Sequence, residues 1–299
     1  MSLPIDPALA VALGAAIQHR TGQRFLIREV RETAGSQFAR AMVLSDGRTR
    51  WFAKLGPAAA ARQFGAELDG LAALREAGVR APEPICHGIA SDHAFLVMEY
   101  LGLRSRESGS GDALGAMLAT LHEAVGDQFG WHINNFLGAT PQHNTPARSW
   151  PEFFREMRLR PQLELAARNG HGQRLQDLGE GVIDALPRLL EGHAPVPSLL
   201  HGDLWHGNCA FLAHDRPVLY DPAVYYGDRE TDLAMTELFG GFPRSFYAAY
   251  FERLPVDEGY ARRRELYNLY HVLNHANLFG GGYRFDAELR MVRLLNGLD

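Results

Sequence analysis

The chain is expected to fold as an α+β protein in two lobes, a small β-rich N-terminal lobe over residues 1–101 and a larger, mainly helical lobe over 102–299. Three observations predict this. Short alternating runs separated by turn residues crowd the first hundred positions, and helical periodicity dominates the rest. A chain of 299 residues is also long enough to build two cores.

In the N-terminal part, a helix over Pro7–Arg20 precedes three β-like runs, Arg24–Val30, Gln37–Leu44 and Thr49–Leu55. Asp46-Gly47 supplies a hairpin turn between the last two, because glycine tolerates the positive φ of a tight connection. Arg31 to Ser36 is expected to be the loop between the first two runs. Lys54 lies at the end of the apolar stretch Trp51-Phe52-Ala53-Lys54. In the next helix Phe64, Leu68, Leu71 and Leu74 mark an apolar face, and Glu67 sits beside it. A carboxylate in that position needs a cation, and Lys54 is the candidate. Pro82 and Pro84 force extended chain, and Ile85–Ala90 and Ala94–Tyr100 read as a second hairpin around Ser91-Asp92-His93.

Beyond this point Ser105–Gly111 is a polar loop. Gly109-Ser110-Gly111 with Gly115 misses the dinucleotide-binding spacing by one residue, and no strand precedes it, so it reads as linker. Helices are expected over Asp112–Ala124, Trp150–Asn169 and Gln173–Leu190, with a weakly periodic, Asn-rich stretch over Phe129–Arg148. After residue 229 the chain is mostly helical, with a break at Gly280-Gly281-Gly282. Asp232 either caps its helix or bonds the backbone of the loop described next.

The densest motif is His201-Gly202-Asp203-Leu204-Trp205-His206-Gly207-Asn208, followed by Tyr220-Asp221-Pro222. Asp203 and Asn208 are five positions apart, and Asn208 and Asp221 thirteen. That is the catalytic-loop and metal-aspartate layout of kinase-fold phosphotransferases. Phosphoryl transfer needs a carboxylate to orient and deprotonate the attacking hydroxyl, and oxygen ligands to hold Mg²⁺ on the ATP phosphates. Asp203 fits the base, and Asn208 and Asp221 fit the metal pair. A lone Asp is more often a turn or cap residue, but three polar groups at this spacing, between apolar β-like runs, favour chemistry. Within that frame Lys54 and Glu67 form the pair that holds the α/β-phosphates. Gly35 and Ser36 fall in the loop over the phosphates, and Glu99, Tyr100 and Leu101 form a hinge whose backbone meets adenine.

These residues resemble the fructosamine kinase (ketosamine kinase) family, a relative of the aminoglycoside phosphotransferases with a protein-kinase-like fold. The resemblance rests on His201–Asn208, Tyr220–Ala223 with Tyr225–Glu230, Phe239–Pro243, Asn135–Gln142 and Leu269–His275. It implies ATP-dependent phosphorylation of the sugar 3-hydroxyl of a ketoamine, whose 3-phosphate then falls apart and frees the amine. It also implies Trp205 as a wall for the sugar, with His206, Asp228 and His275 on the substrate side. The acceptor is then a small-molecule or protein-bound ketoamine, and the protein a monomer or homodimer. Gly202 stands where protein kinases carry Arg, Asp221-Pro222-Ala223 replaces Asp-Phe-Gly, and no Ala-Pro-Glu follows, so a small-molecule acceptor is favoured over a peptide.

Two other readings share the motif: a kinase of another small metabolite such as an aminoglycoside, choline or a sugar, and a nucleotide-binding pseudokinase. Intact Lys54, Asp203, Asn208 and Asp221 argue against the second. A formal charge of −5 leaves no nucleic-acid footprint. No stretch reaches the roughly 20 apolar residues of a membrane span, and no basic region precedes the apolar N-terminus as in a signal peptide. Two cysteines, Cys86 and Cys209, cannot make a disulfide framework and suit a reducing cytoplasm. His271 and His275 have helical metal-pair spacing, but the Glu of a zinc protease motif is missing. They read as a packed or pocket-lining pair satisfied by Asn274 and Asn277.

Overall fold

The computed structural model describes residues 4–36, 39–104 and 111–297. The chain divides into two compact units, Met1–Gly109 with Ala210–Pro222, and Ser110–Cys209 with Ala223–Asp299. A single cut after residue 101 therefore leaves out a return of the chain to the first unit. Arg104 and Phe211 exchange backbone hydrogen bonds (2.7 and 3.3 Å), and Leu219 N donates to Arg80 O (3.0 Å).

In the first unit, α1 (Pro7–Thr21) starts at Asp6, whose Oδ1 accepts from the amides of Ala8 (2.7 Å) and Leu9 (3.3 Å). It ends at Gly22, with φ +70°. Leu9, Leu13 and Ile17, one turn apart, are buried. The strands β1 (Glu29–Ser36), β2 (Ala39–Ser45) and β3 (Arg50–Pro57) form an antiparallel meander. After α2 (Ala61–Glu76) come β4 (Pro84–Ala90) and β5 (His93–Glu99), giving a five-stranded sheet in the order β1-β2-β3-β5-β4. Ser91 and Asp92, both at positive φ, turn the second hairpin. Asp46 Oδ1 secures the β2–β3 turn by accepting from Arg48 N (2.8 Å) and Thr49 N (2.7 Å).

Two sequence expectations are corrected here. Arg24–Val30 alternates as a strand should, with Phe25 and Ile27 buried and Leu26 exposed, yet strand β1 begins only at Glu29. The alternation arises from packing on α1 and the sheet, within one apolar cluster holding Leu13, Ile17, Phe25, Ile27, Met42 and Val97. The expected loop at Arg31–Ser36 is consequently strand. Its register shifts between Thr33 and Ser36, so Gly35 lies in a bulge, where a Cβ would come within 2.5 Å of Ala39 O. Gln37 and Phe38 lie outside the described residues.

The second unit opens with α3 (Gly111–His122). Ser105–Ser110 lies outside the described residues, but Gly111 and Gly115 are helical rather than linker. The short hairpin β6 (Asn135–Leu137) and β7 (Thr140–Gln142) leads to α4 (Trp150–Phe153). A π-helical turn over Phe154–Leu159 joins α4 to α5 (Arg160–Arg168), and α6 (Gln173–Leu189) follows. Strand β8 (Ser198–Leu200) precedes the motif; after it β9 (Cys209–Phe211) and β10 (Pro217–Leu219) pair as a hairpin that, from Ala210 on, belongs to the first unit. Strand β11 (Tyr225–Gly227) then pairs antiparallel with β8, Tyr225 opposite Leu200. Four helices complete the unit, α7 (Glu230–Leu238), α8 (Arg244–Arg253), α9 (Tyr260–Phe279) and α10 (Gly282–Asn296). Gly115 lets α3 approach α8, since a Cβ there would lie 2.2 Å from Phe246 O.

The core of the second unit is mainly aliphatic around an aromatic group of Trp150, Phe153, Phe154, Tyr225, Tyr267 and Tyr270. Arg158 is fully buried in it. Its guanidinium lies 3.9 Å over the Tyr225 ring and donates to His143 O (2.5 Å) and Asn144 Oδ1 (2.8 Å). Among the described residues no helix is long and apolar enough to cross a membrane.

Candidate active site

In the first unit, Lys54 lies mid-strand on β3, opposite Ala41 and Leu96, so its side chain leaves a rigid sheet. Its Nζ donates to Glu67 Oε1 and to Asp221 Oδ1, both at 2.7 Å. Helix α2 presents Glu67 from beside the face carrying buried Phe64, Leu71 and Leu74. Burial opposes the charge on Lys54, but the Asp221 and Glu67 carboxylates outweigh it and hold the ammonium protonated well above its ordinary range. Burial also pushes the Glu67 carboxyl up, to about 7, against the pull of Lys54. Asp221 has φ +56°, a left-handed conformation that costs a non-glycine residue on the order of 1 kcal/mol. Its carboxylate is about half exposed, and with Oδ1 on Lys54 its Oδ2 remains as a hard oxygen donor.

Glu99, Tyr100 and Leu101, expected from the sequence to form a hinge, sit at the end of β5. Glu99 is clamped by Arg80, at 2.6 and 2.8 Å, and its amide donates to Glu83 O (2.8 Å). Arg80 and the Glu83 amide overcome the opposing effect of burial and hold the Glu99 carboxyl below its ordinary range. The Glu99 N–H is therefore already taken. The Arg50 guanidinium covers the Tyr100 ring at 4.5 Å, and Leu101 follows, half-buried.

In the second unit, the motif loop is held from below by Asp232 on α7. Its two oxygens accept the amides of His201 (2.7 Å) and Gly202 (2.9 Å), the second of the two roles expected for this residue. His122, at the end of α3, braces the same carboxylate through Nε2 (3.1 Å) and meets Tyr250 OH through Nδ1 (2.7 Å). Burial opposes ionisation of Asp232, but the His122 contact and the loop amides hold its carboxyl below the ordinary range. Asn208 Nδ2 donates to Asp203 O (2.8 Å) and Oδ2 (3.0 Å). That orients the carboxylate and leaves Asn208 Oδ1 for a cation. The chemistry of the donors, a carboxylate and an amide oxygen, fits Mg²⁺.

The Asn135–Gln142 segment has a part that spacing did not reveal. Asn135 Nδ2 donates to Val224 O (2.7 Å), and Gln142 Nε2 donates to Ala223 O (3.0 Å) and Asn135 Oδ1 (2.8 Å). Tyr270 OH closes the relay on Gln142 Oε1 (2.8 Å). These buried amides fix the backbone just past Asp221-Pro222, and only the motif-like look of the segment hinted at them.

The residues expected on the substrate side fall in two places. Trp205 is half-buried, with its ring over Gly207, where a Cβ would lie 2.4 Å away, and exposed His206 packs against it. His275 shares an aromatic patch with Phe239, Phe279 and Tyr283. Asp228, in contrast, is buried. Its Oδ2 accepts from Tyr267 OH (2.5 Å) and lies 2.6 Å from His193 Nε2, while Oδ1 accepts Glu230 N (3.0 Å). Its carboxylate thus tethers α7 to α9. Nearby Glu230 is taken up by Arg263, at 2.6 and 2.8 Å. The histidine pair also differs from expectation. His275 Nδ1 meets His271 O (2.8 Å), whereas Asn274 and Asn277 bond Gln162.

A model of the fructosamine kinase family matches residues 10–297. The chain belongs to the fructosamine kinase family. It is 44% identical to a "probable ketoamine kinase" of Synechocystis sp., over 98% of this chain and 99% of that one. A crystal structure of a "putative fructosamine-3-kinase" from Thermobifida fusca superposes with a TM-score of 0.83 at 34% identity, covering 95% and 99% of the two chains. The aminoglycoside phosphotransferase APH(4)-Ia, solved with AMP-PNP and hygromycin B, aligns at TM-score 0.58 and 14% identity over 96% and 98%, which shows the shared protein-kinase-like fold alone. As a fructosamine kinase the protein is a phosphotransferase that acts on a hydroxyl group of ketoamines.

Proposed function

We propose that this fructosamine kinase transfers the γ-phosphoryl group of Mg-ATP to the sugar 3-hydroxyl of a ketoamine, after which the phosphorylated adduct decays and frees the amine. The observation that carries the reading is the pair of hydrogen bonds from Asn208 to Asp203, which aims a partly exposed carboxylate from a loop anchored by Asp232. Asp203 then accepts the hydroxyl proton as the oxygen attacks. Lys54, held by Glu67, takes the α/β-phosphates. Backbone groups of Glu99 and Leu101, with Tyr100 between them, take the adenine, and the bulged end of β1 at Gly35 and Ser36 approaches the phosphates. Asn208 and Asp221 would hold Mg²⁺, whose charge offsets that developing on the transferring oxygens. The AMP-PNP bound in the APH(4)-Ia structure supports nucleotide use on this fold.

On the acceptor side, Trp205 gives the sugar an apolar wall, with His206 and His275 beside it. Burial pushes the Cys86 thiol up to about 11, which keeps it largely protonated at neutral pH, and the proposed location is the cytoplasm. The test is Mg-ATP turnover on fructosyl-lysine, ribulosyl-lysine and a panel of unrelated alcohols. Turnover is expected with the ketoamines alone and is expected to fall by about 10²–10⁴ in Asp203→Asn. No ketoamine-dependent turnover, or an Asp203→Asn variant as active as the parent, would overturn the reading.

A further inference from the structure

A run of rings in the second unit begins beside the proposed base and ends in solvent. Trp205, two residues after Asp203, meets Phe239 edge to face at 6.0 Å. Phe239 lies 5.1 Å from His275, which lies 5.1 Å from Tyr283 and 5.5 Å from Phe279. Phe279 is 49% exposed, and Phe239, His275 and Tyr283 are half-buried.

The backbone supports this run from three elements. Phe239 follows α7, and Gly240 and Gly241, at φ +92° and +74°, turn the chain away behind it. His275 and Phe279 are one turn apart on α9, and Gly280 and Gly281, both at positive φ, bring Tyr283 of α10 back beside them. The bond from His275 Nδ1 to His271 O fixes its ring, and burial keeps that imidazole neutral at lower pH than usual. Arg284, the cation next in the chain, lies over Phe285 instead, at 4.6 Å. The surface is therefore apolar, rich in π-faces and free of any charge contributed by the five rings themselves.

We propose that Phe239, His275, Phe279 and Tyr283 form the subsite for the amine portion of the ketoamine, selecting amines with aromatic or long aliphatic substituents over those with a carboxylate next to nitrogen. The proposal rests on the ketoamine reading of the site. In a ketoamine the amine nitrogen is on C1, two carbons from the 3-hydroxyl, so a sugar held over Trp205 with its 3-hydroxyl at Asp203 releases its amine substituent within a few ångströms. This run of rings offers it an apolar surface continuous with Trp205. The secondary ammonium is a cation, which suits π-faces, and an apolar substituent gains by covering exposed Phe279. A carboxylate next to the nitrogen would meet the negative ring faces with nothing in the run to neutralise it.

The experiment compares kcat/KM for two ketoamines of the same sugar, one made from benzylamine and one from glycine, in the full chain. The parent is expected to prefer the benzylamine adduct by about 10-fold, the scale of one cation–π contact plus ring burial. That ratio is expected to fall at least about 3-fold in Phe279→Ser and in Tyr283→Ser, mainly through KM, as one ring contact is lost. Phe285→Ser, exposed but outside the run, is expected to leave the ratio as it is. A parent ratio near one, a ratio kept in both ring variants, or an equal loss in Phe285→Ser overturns the subsite. Turnover of neither adduct by the parent overturns the ketoamine reading itself, a result distinct from a failed preference.

Discussion

Gly202 and Ala223 approach so closely that a Cβ on Gly202 would lie 2.1 Å from the Ala223 carbonyl oxygen. Gly202 has φ +81°, and Ala223 N donates to His201 O (2.8 Å), so the motif loop is laced to the chain that follows Pro222. Gly202→Ala combines this overlap with a disfavoured φ and is expected to destabilise the protein by about 2–4 kcal/mol. Denaturant unfolding would show it. A loss below about 0.5 kcal/mol would mean that the loop yields.

Asp232 supports the same loop. Asp232→Ala leaves the buried amides of His201 and Gly202 without an acceptor, at a cost of about 2–4 kcal/mol. Because the loop carries Asp203, kcat is expected to fall more than the KM for ketoamine rises. Steady-state kinetics on folded protein separates the two, and a pure KM effect would argue against a positioning role.

Lys54→Met removes the cation shared by Glu67 and Asp221. If Lys54 holds the phosphates, kcat/KM for ATP falls by on the order of 10²–10³, while KM for ketoamine changes less than about threefold. Equal effects on both substrates would show that Lys54 serves the fold more than the nucleotide.

His271 makes stability depend on pH. Burial, with a smaller contribution from His275, lowers its pKa from 6.5 to about 3, and its Nδ1 is buried without a partner. The folded state therefore keeps the ring neutral while the unfolded chain protonates below about pH 6.5. The stability associated with this ring is complete above that pH and is lost progressively as pH falls toward 3. His271→Leu is expected to flatten this part of the decline of Tm between pH 7.5 and 5. Parallel Tm profiles for parent and variant would refute the assignment.

Tyr270 and Gln142 meet through a contact that no local pattern encodes. The hairpin turn at Asp46-Gly47, the apolar face of α2 and the helix start at Pro7 were legible because each depends on residues within a turn of one another. The Tyr270–Gln142 bond joins residues 128 positions apart, and no local pattern encodes such a partner. Asp228 misled for the same reason. Its segment looks functional, but its distant partners Tyr267 and His193 occupy the carboxylate.

By itself the sequence determined the order of the elements, the Asp203, Asn208 and Asp221 spacing, and the pairing of Lys54 with Glu67, since periodicity and the need to neutralise a buried charge are written locally. Only the tertiary structure decided that β1 starts at Glu29 and bulges at Gly35, that Gly202 is there for closeness to Ala223, and that Asp228 is a tether. Those outcomes depend on close packing and on which distant group satisfies each buried donor or acceptor, and both are settled when the units fold.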